Sequence, residues 1–280
     1  MARSSLTHTG RVVALAAAIL IMAPLAQAIV VAPHHTFLDH RTRSSVIHLH
    51  NGGTDPEEVA ISFIFAYPVS DSAGNVKVQV FEEPDADEPS AASWIRAYPR
   101  RMMVGPGQTQ AVRLLAQPPA DLPDGEYWTR AVVSARGAQI PFESPDTAVK
   151  IGLTLETRTV VPVTYRKGQV TTGVVMTGLE HAVEADSVVA RVGMRRTGNG
   201  AFLGTLHVTL VDGSGNVGAE VHRLVAVYHE LTRRVAIPVS DLPTGPYTLQ
   251  VRVDTQRSDL DPQDVLPAQA LQDSLMFWLP

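Results

Sequence analysis

Short runs of alternating apolar and polar residues recur along the chain, each closed by turn residues, and this period of two predicts β-strands. Ser45 to His50 alternates and is closed by Asn51-Gly52-Gly53. Glu58 to Ala66 is a second run, ended by Pro68, and Asn75 to Phe81 a third. In the third, Val76, Val78 and Val80 share one face while Lys77, Gln79 and Phe81 share the other. Glu82 to Ser90 carries five acidic residues and two prolines and reads as a solvated loop. Gln110 to Leu114 alternates again after the turn Gly105-Pro106-Gly107. Long helical periodicity is absent.

The second half repeats the style. Arg191 to Arg196, Gly204 to Val211, Val221 to Tyr228 and Arg233 to Val239 read as strands. Gly198-Asn199-Gly200 and Asp212 to Asn216 read as hairpin turns between them. One turn occurs twice: Asp121-Leu122-Pro123-Asp124-Gly125-Glu126-Tyr127 returns 120 residues later as Asp241-Leu242-Pro243-Thr244-Gly245-Pro246-Tyr247. Each copy feeds a strand, Thr129 to Ala135 and Thr248 to Asp254. Such a repeat predicts an all-β chain of two immunoglobulin-like β-sandwich domains in tandem, with Tyr127 at a tyrosine corner. The expected boundaries are 29–158 for the first domain, 159–168 for a linker and 169–280 for the second.

Composition adds the compartment. Arg3 and Arg11 form a basic segment ahead of an apolar run, Val12 to Leu25, and Ala26-Gln27-Ala28 is a cleavage pattern, so residues 1–28 read as a signal peptide. No later segment is long and apolar enough to span a membrane. The mature chain then carries 21 basic against 28 acidic residues, a net charge of −7, which argues against a nucleic-acid partner. It has no cysteine, so neither disulfides nor thiolate chemistry operate, and the cores alone stabilise it.

The segment Trp94 to Val133 is the most informative. It holds Pro99-Arg100-Arg101, then Pro106-Gly107-x-x-Gln110-x-Val112-Arg113, then Leu122-Pro123-x-Gly125-Glu126-Tyr127. In that order and spacing these motifs resemble the N-terminal domain of the PapD-like periplasmic chaperones of pili. The resemblance covers residues 29 to about 166; the second half lacks the usual pattern. It implies a periplasmic chaperone for pilus or fimbrial subunits acting by donor-strand complementation, with a subunit and an outer-membrane usher as partners and no cofactor.

By the same resemblance, Val149, Ile151 and Leu153, alternating with Lys150, Gly152 and Thr154, would fill a groove in the incomplete subunit. Arg158 would grip the subunit's terminal carboxylate, and His35, ahead of Phe37-Leu38-Asp39, would supply the second anchoring group. An exposed histidine titrates near 6.5, so such an anchor would strengthen toward pH 5.5. Arg41 and Arg43 are the next candidates. Tyr165-Arg166 falls farther downstream than the family's tyrosine–arginine pair.

His34, His35, His40, His48 and His50 form a dense histidine group, but no acidic or cysteine ligand stands at matching spacing, and no metal is expected there. Signatures such as G-x-S-x-G, H-E-x-x-H and a phosphate loop are missing, so the chain is not read as an enzyme. Two other classes remain open: an exported structural or adhesive protein without chaperone activity, and an enzyme with accessory sandwiches.

Overall fold

The computed structural model describes residues 29–137, 140–142, 151–153 and 155–280, the two short runs as backbone. The expected signal peptide, 1–28, and Val149 lie outside the described residues. The described chain is all β, with no helix long and apolar enough to cross a membrane.

The first thirteen strands are β1 (Ile29–Ala32), β2 (Thr36–Asp39), β3 (Ser44–Asn51), β4 (Glu57–Ile64), β5 (Ala66–Ser70), β6 (Val76–Val80), β7 (Ile95–Tyr98), β8 (Arg101–Val104), β9 (Thr109–Ala116), β10 (Gly125–Arg136), β11 (Ile140–Phe142), β12 (Ile151–Leu153) and β13 (Glu156–Lys167). One sheet runs β1-β3-β9-β7 and the other β2-β13-β10-β4-β8. This is the immunoglobulin division, with A-B-E-D on one side and G-F-C on the other. The alternation read from sequence is what closes it: Ile47 and Leu49 of β3 and Val112 and Leu114 of β9 face Val59, Ile61, Ala131, Val133, Val161, Val163 and Tyr165 across one core.

Seven strands build the second sandwich: β14 (Thr172–Glu184), β15 (Ser187–Gly198), β16 (Phe202–Asp212), β17 (Val217–Val227), β18 (Glu230–Pro238), β19 (Gly245–Asp254) and β20 (Leu271–Leu279). They form sheets β14-β15-β18 and β17-β16-β19-β20 around a core that includes Val192, Met194, Leu206, Val208, Leu249 and Val251. The repeated turn is a tyrosine corner in both domains. Tyr127 donates its hydroxyl to the Pro123 carbonyl at 2.9 Å, and Tyr247 to the Pro243 carbonyl at 3.1 Å.

Two expectations are corrected. Residues 159–167 are not a linker but most of β13, because Val161, Val163 and Tyr165 are core residues. Pro162 is accommodated in the strand because it sits beside the point where β13 gains its second neighbour, a place where a missing N–H is tolerated. Gly198-Asn199-Gly200 is not a hairpin turn either. It carries the chain from one sheet to the other, since β15 pairs with β14 and β18 while β16 pairs with β17 and β19. Asp212 to Asn216 is a hairpin turn, closed by Asp212 Oδ1 accepting the Ser214 and Asn216 amides.

The domains are joined by more than one chain crossing. Hairpin β5-β6 reaches from the first domain onto β18, where Arg234 N donates to the Gly74 carbonyl at 2.9 Å and Thr232 N to Ser70 Oγ at 2.9 Å. Beneath it Phe65, Tyr67 and Trp128 of the first domain pack with Ala201, Leu203 and Tyr228 of the second in a separate buried cluster.

Candidate strand-pairing edge and interdomain cleft

Strand β13 is extended because β-branched residues recur on its inner face: Thr157, Thr159, Val161 and Val163. It pairs with β10 over all twelve residues, from Arg136↔Glu156 to Gly125↔Lys167. On its other side β2 covers only Val163 to Arg166, in parallel. Glu156 to Pro162 therefore has a ladder on one side and no strand on the other among the described residues. Leu155 and Val160 are exposed along this edge, at 61% and 42%. An open, partly apolar edge is a template for another chain.

Beyond Arg136 and Glu156 the same two chains continue as the arm β11-β12, with Phe142↔Ile151 and Ile140↔Leu153. Ile151 and Leu153 thus lie on a two-stranded extension that no third described strand joins.

Arg158 stands on this edge opposite Ser134, its side chain 67% exposed. Its Nε donates to Glu156 Oε1 at 2.8 Å, and Arg136 Nε donates to Glu156 Oε2 at 3.0 Å. These two hydrogen bonds hold the Glu156 carboxyl below the usual range.

His35 lies just before β2, on the side facing the second domain. Its Nε2 is 2.8 Å from Thr164 Oγ1, and its ring stacks on Phe37 at 4.2 Å. The register Thr36↔Val163 sets His35 level with Pro162. Arg158, four residues back, is then about 13 Å away along the strand. The structure does not bring His35 and Arg158 together. Nor is His35 a titrating group at pH 5.5: burial, then the charges of Arg130, Arg257 and Arg166, pull its pKa down to about 3. A pKa that low removes the basis for the acid-side gain expected of an exposed histidine. Arg41 and Arg43 belong to the exposed turn after β2, where the Arg43 guanidinium reaches back to the His40 carbonyl at 3.1 Å.

The cleft itself is organised by residues that sequence reasoning missed. Glu126, Trp128 and Arg130 alternate with core-facing residues on β10 and so point toward the second domain. The Glu126 carboxylate accepts Trp128 Nε1 at 2.8 Å, Arg166 Nε at 2.8 Å and, from the second domain, Ala201 N at 3.0 Å. Arg166 Nη1 donates to the Asp264 carbonyl at 2.7 Å, Arg130 Nε to the Ala66 carbonyl at 3.0 Å, and Arg257 clamps Asp259 at 2.6 Å. The signal lay in the motif: a tryptophan between two charged residues on the supposedly wet face of a strand marks a second packing surface.

His48 and His50 do share the outward face of β3, as read, but their ladder partners on β9 are Ala111 and Thr109, and His50 Nδ1 is 3.0 Å from Thr109 Oγ1.

No family model matches the chain, and no curated protein matches it. Solved structures do. The chain is similar to a chain of the CsuC–CsuE chaperone–tip adhesion subunit pre-assembly complex of Acinetobacter baumannii, with 12% identity and a TM-score of 0.44 over 88% of this chain and 97% of that one. It is similar to a chain of the SafA pilin–SafB chaperone complex of Salmonella enterica, with 13% identity and a TM-score of 0.42 over 89% and 96%. The YadV chaperone aligns with 15% identity and a TM-score of 0.42 over 90% and 99%. Each is a likeness below a TM-score of 0.5, and none assigns an activity to this chain.

Proposed function

We propose that the exported chain is a binding protein that captures a strand of a partner on the open edge of β13, as a periplasmic chaperone for pilus or fimbrial subunits does. The observation that carries this reading is the side of Glu156 to Pro162 that no strand joins among the described residues. A sandwich missing one strand exposes an apolar groove, and an edge of this kind supplies main-chain hydrogen bonds while alternate side chains fill the groove. Val149, Ile151 and Leu153 would be the filling side chains and Arg158 the carboxylate grip. His35 would contribute a neutral hydrogen bond at most. No ATP and no bond chemistry are involved. An usher would be the later partner.

The experiment is recovery of the chain from the periplasm. A chaperone comes out in a one-to-one complex with a small β-rich subunit, and Ile151→Asp or Arg158→Ala lowers that recovery; the exposed Arg158→Ala leaves the thermal midpoint within about 1 °C, since surface substitutions are nearly neutral. Recovery without partner from cells expressing the subunit overturns the reading. A second reading, an exported structural sandwich without client capture, is favoured by one observation: the cleft guanidiniums of Arg130, Arg166 and Arg257 are already engaged by this chain's own carbonyls and carboxylates.

A further inference from the structure

On the outer face of the second sandwich two histidines meet. His207 of β16 is the direct ladder partner of His222 of β17, and Glu220, two residues before His222, shares its face. One ligand atom from each lies within 4.8 Å of the others, and His207 Nδ1 is 2.8 Å from His222 Nδ1. We propose that His207, His222 and Glu220 bind a divalent first-row transition metal of the zinc class.

Three observations support this. The first is the donor set: two imidazoles and one carboxylate suit zinc, copper(II) or nickel(II) rather than calcium or magnesium.

The second is the far side of His207. Its Nε2 is 3.3 Å from Asp254 Oδ2, whose side chain is only 7% exposed. Both atoms are buried without a hydrogen-bond partner. Arg252 Nη2 is 3.0 Å from the same oxygen, and Asp254 Oδ1 accepts Gln256 N at 3.0 Å. A metal on His207 Nδ1 forces the ring proton onto Nε2, whose nearest carboxylate oxygen is Asp254 Oδ2 at 3.3 Å. A carboxylate behind a ligating histidine fixes ring orientation and tautomer in this way.

The third is charge and access. Glu220 and Asp254 against Arg252 leave the neutral-imidazole cluster at −1. The open side faces a polar groove lined by Thr209, Gln250, Gln272 and Ser274, where water can complete the shell. Two nitrogens on one tetrahedral zinc sit about 3.4 Å apart, given Zn–N near 2.1 Å. His222, half exposed, can turn outward by the ~0.6 Å needed to reach that spacing.

The test is calorimetric titration of zinc chloride into the chelator-stripped mature chain at pH 7.5. One equivalent binds, and His222→Ala or Glu220→Gln weakens it at least tenfold while circular dichroism melts stay unchanged. Asp254→Asn weakens it roughly ten- to a hundredfold. His48→Ala/His50→Ala leaves it intact. As a second readout, zinc shifts the ring-nitrogen resonances of two histidines in the parent and of none in His207→Ala/His222→Ala. Absence of the one-equivalent event, or equal affinity in that double variant, overturns the proposal; the strand-capture reading is untouched by either result.

Discussion

Glu126 and Arg166 stand directly opposite one another on β10 and β13, with Arg166 Nε donating to Glu126 Oε2 at 2.8 Å, and the same carboxylate holds the Ala201 amide of the second domain. The Glu126 side chain is 1% exposed. A buried ion pair is a modest net stabiliser, but removing one member strands the other, at about 3–5 kcal/mol. Glu126→Ala is therefore expected to lower the thermal midpoint sharply and to split the calorimetric unfolding into two transitions, one per sandwich. A single transition at the parent midpoint would show that the pair does not couple the domains.

His35 gives a pH signature. Its folded pKa of about 3 lies below the ordinary 6.5, so the unfolded chain binds the extra proton between those values. Stability is complete above about pH 6.5 and falls as pH drops toward 3, by at most about 1.4 kcal/mol per pH unit. His35→Gln, which keeps a hydrogen bond to Thr164, is expected to flatten that slope. Urea midpoints of the two proteins at pH 4.5 and 7.5 check it; parallel slopes refute it.

Gly74 is the tight point where hairpin β5-β6 meets β18. Its φ is +82°, and an added Cβ would lie 3.1 Å from Arg234 N and 3.2 Å from Arg234 Cβ. Gly74→Val is expected to lift the hairpin tip and expose the Arg234 amide. Amide exchange at Arg234 and Thr232 should accelerate at least tenfold while β16 and β19 stay protected. Unchanged exchange at both amides would mean the hairpin does not brace the second domain.

The two tyrosine corners differ in surroundings. Tyr247 is buried at 4%, whereas the Tyr127 hydroxyl bond is solvent-exposed. Tyr247→Phe leaves the Pro243 carbonyl short of a donor and is expected to cost about 1.5 kcal/mol, and Tyr127→Phe about 0.5 kcal/mol. Chemical denaturation of both variants checks the order, and the reverse order would refute it.

What was legible in the chain was whatever depends on near neighbours. Ile47 and Leu49 face a core because strand residues alternate, and Tyr127 and Tyr247 turn back on carbonyls four residues away. Facts that depend on register between distant strands were not legible. Nothing local shows that β2 meets β13 at Thr36↔Val163, which separates His35 from Arg158 and surrounds His35 with arginines. The His207–His222 pair lies between these cases. Counting outward from the Asp212–Asn216 turn on both strands brings the two residues opposite each other, apart from the register shift at Leu210/Val211.

The continuity of β13 has a mechanical consequence. Twelve residues of strand form a strut of about 40 Å, open at its Glu156 end and bolted at Arg166 to the second domain. Tension along a chain docked at the free end would load the β10 ladder in shear, many hydrogen bonds at once, rather than peel them singly. Its reaction force would arrive at Glu126 and Arg166. The ion pair that closes the cleft would then also be where the pull on a captured strand is borne.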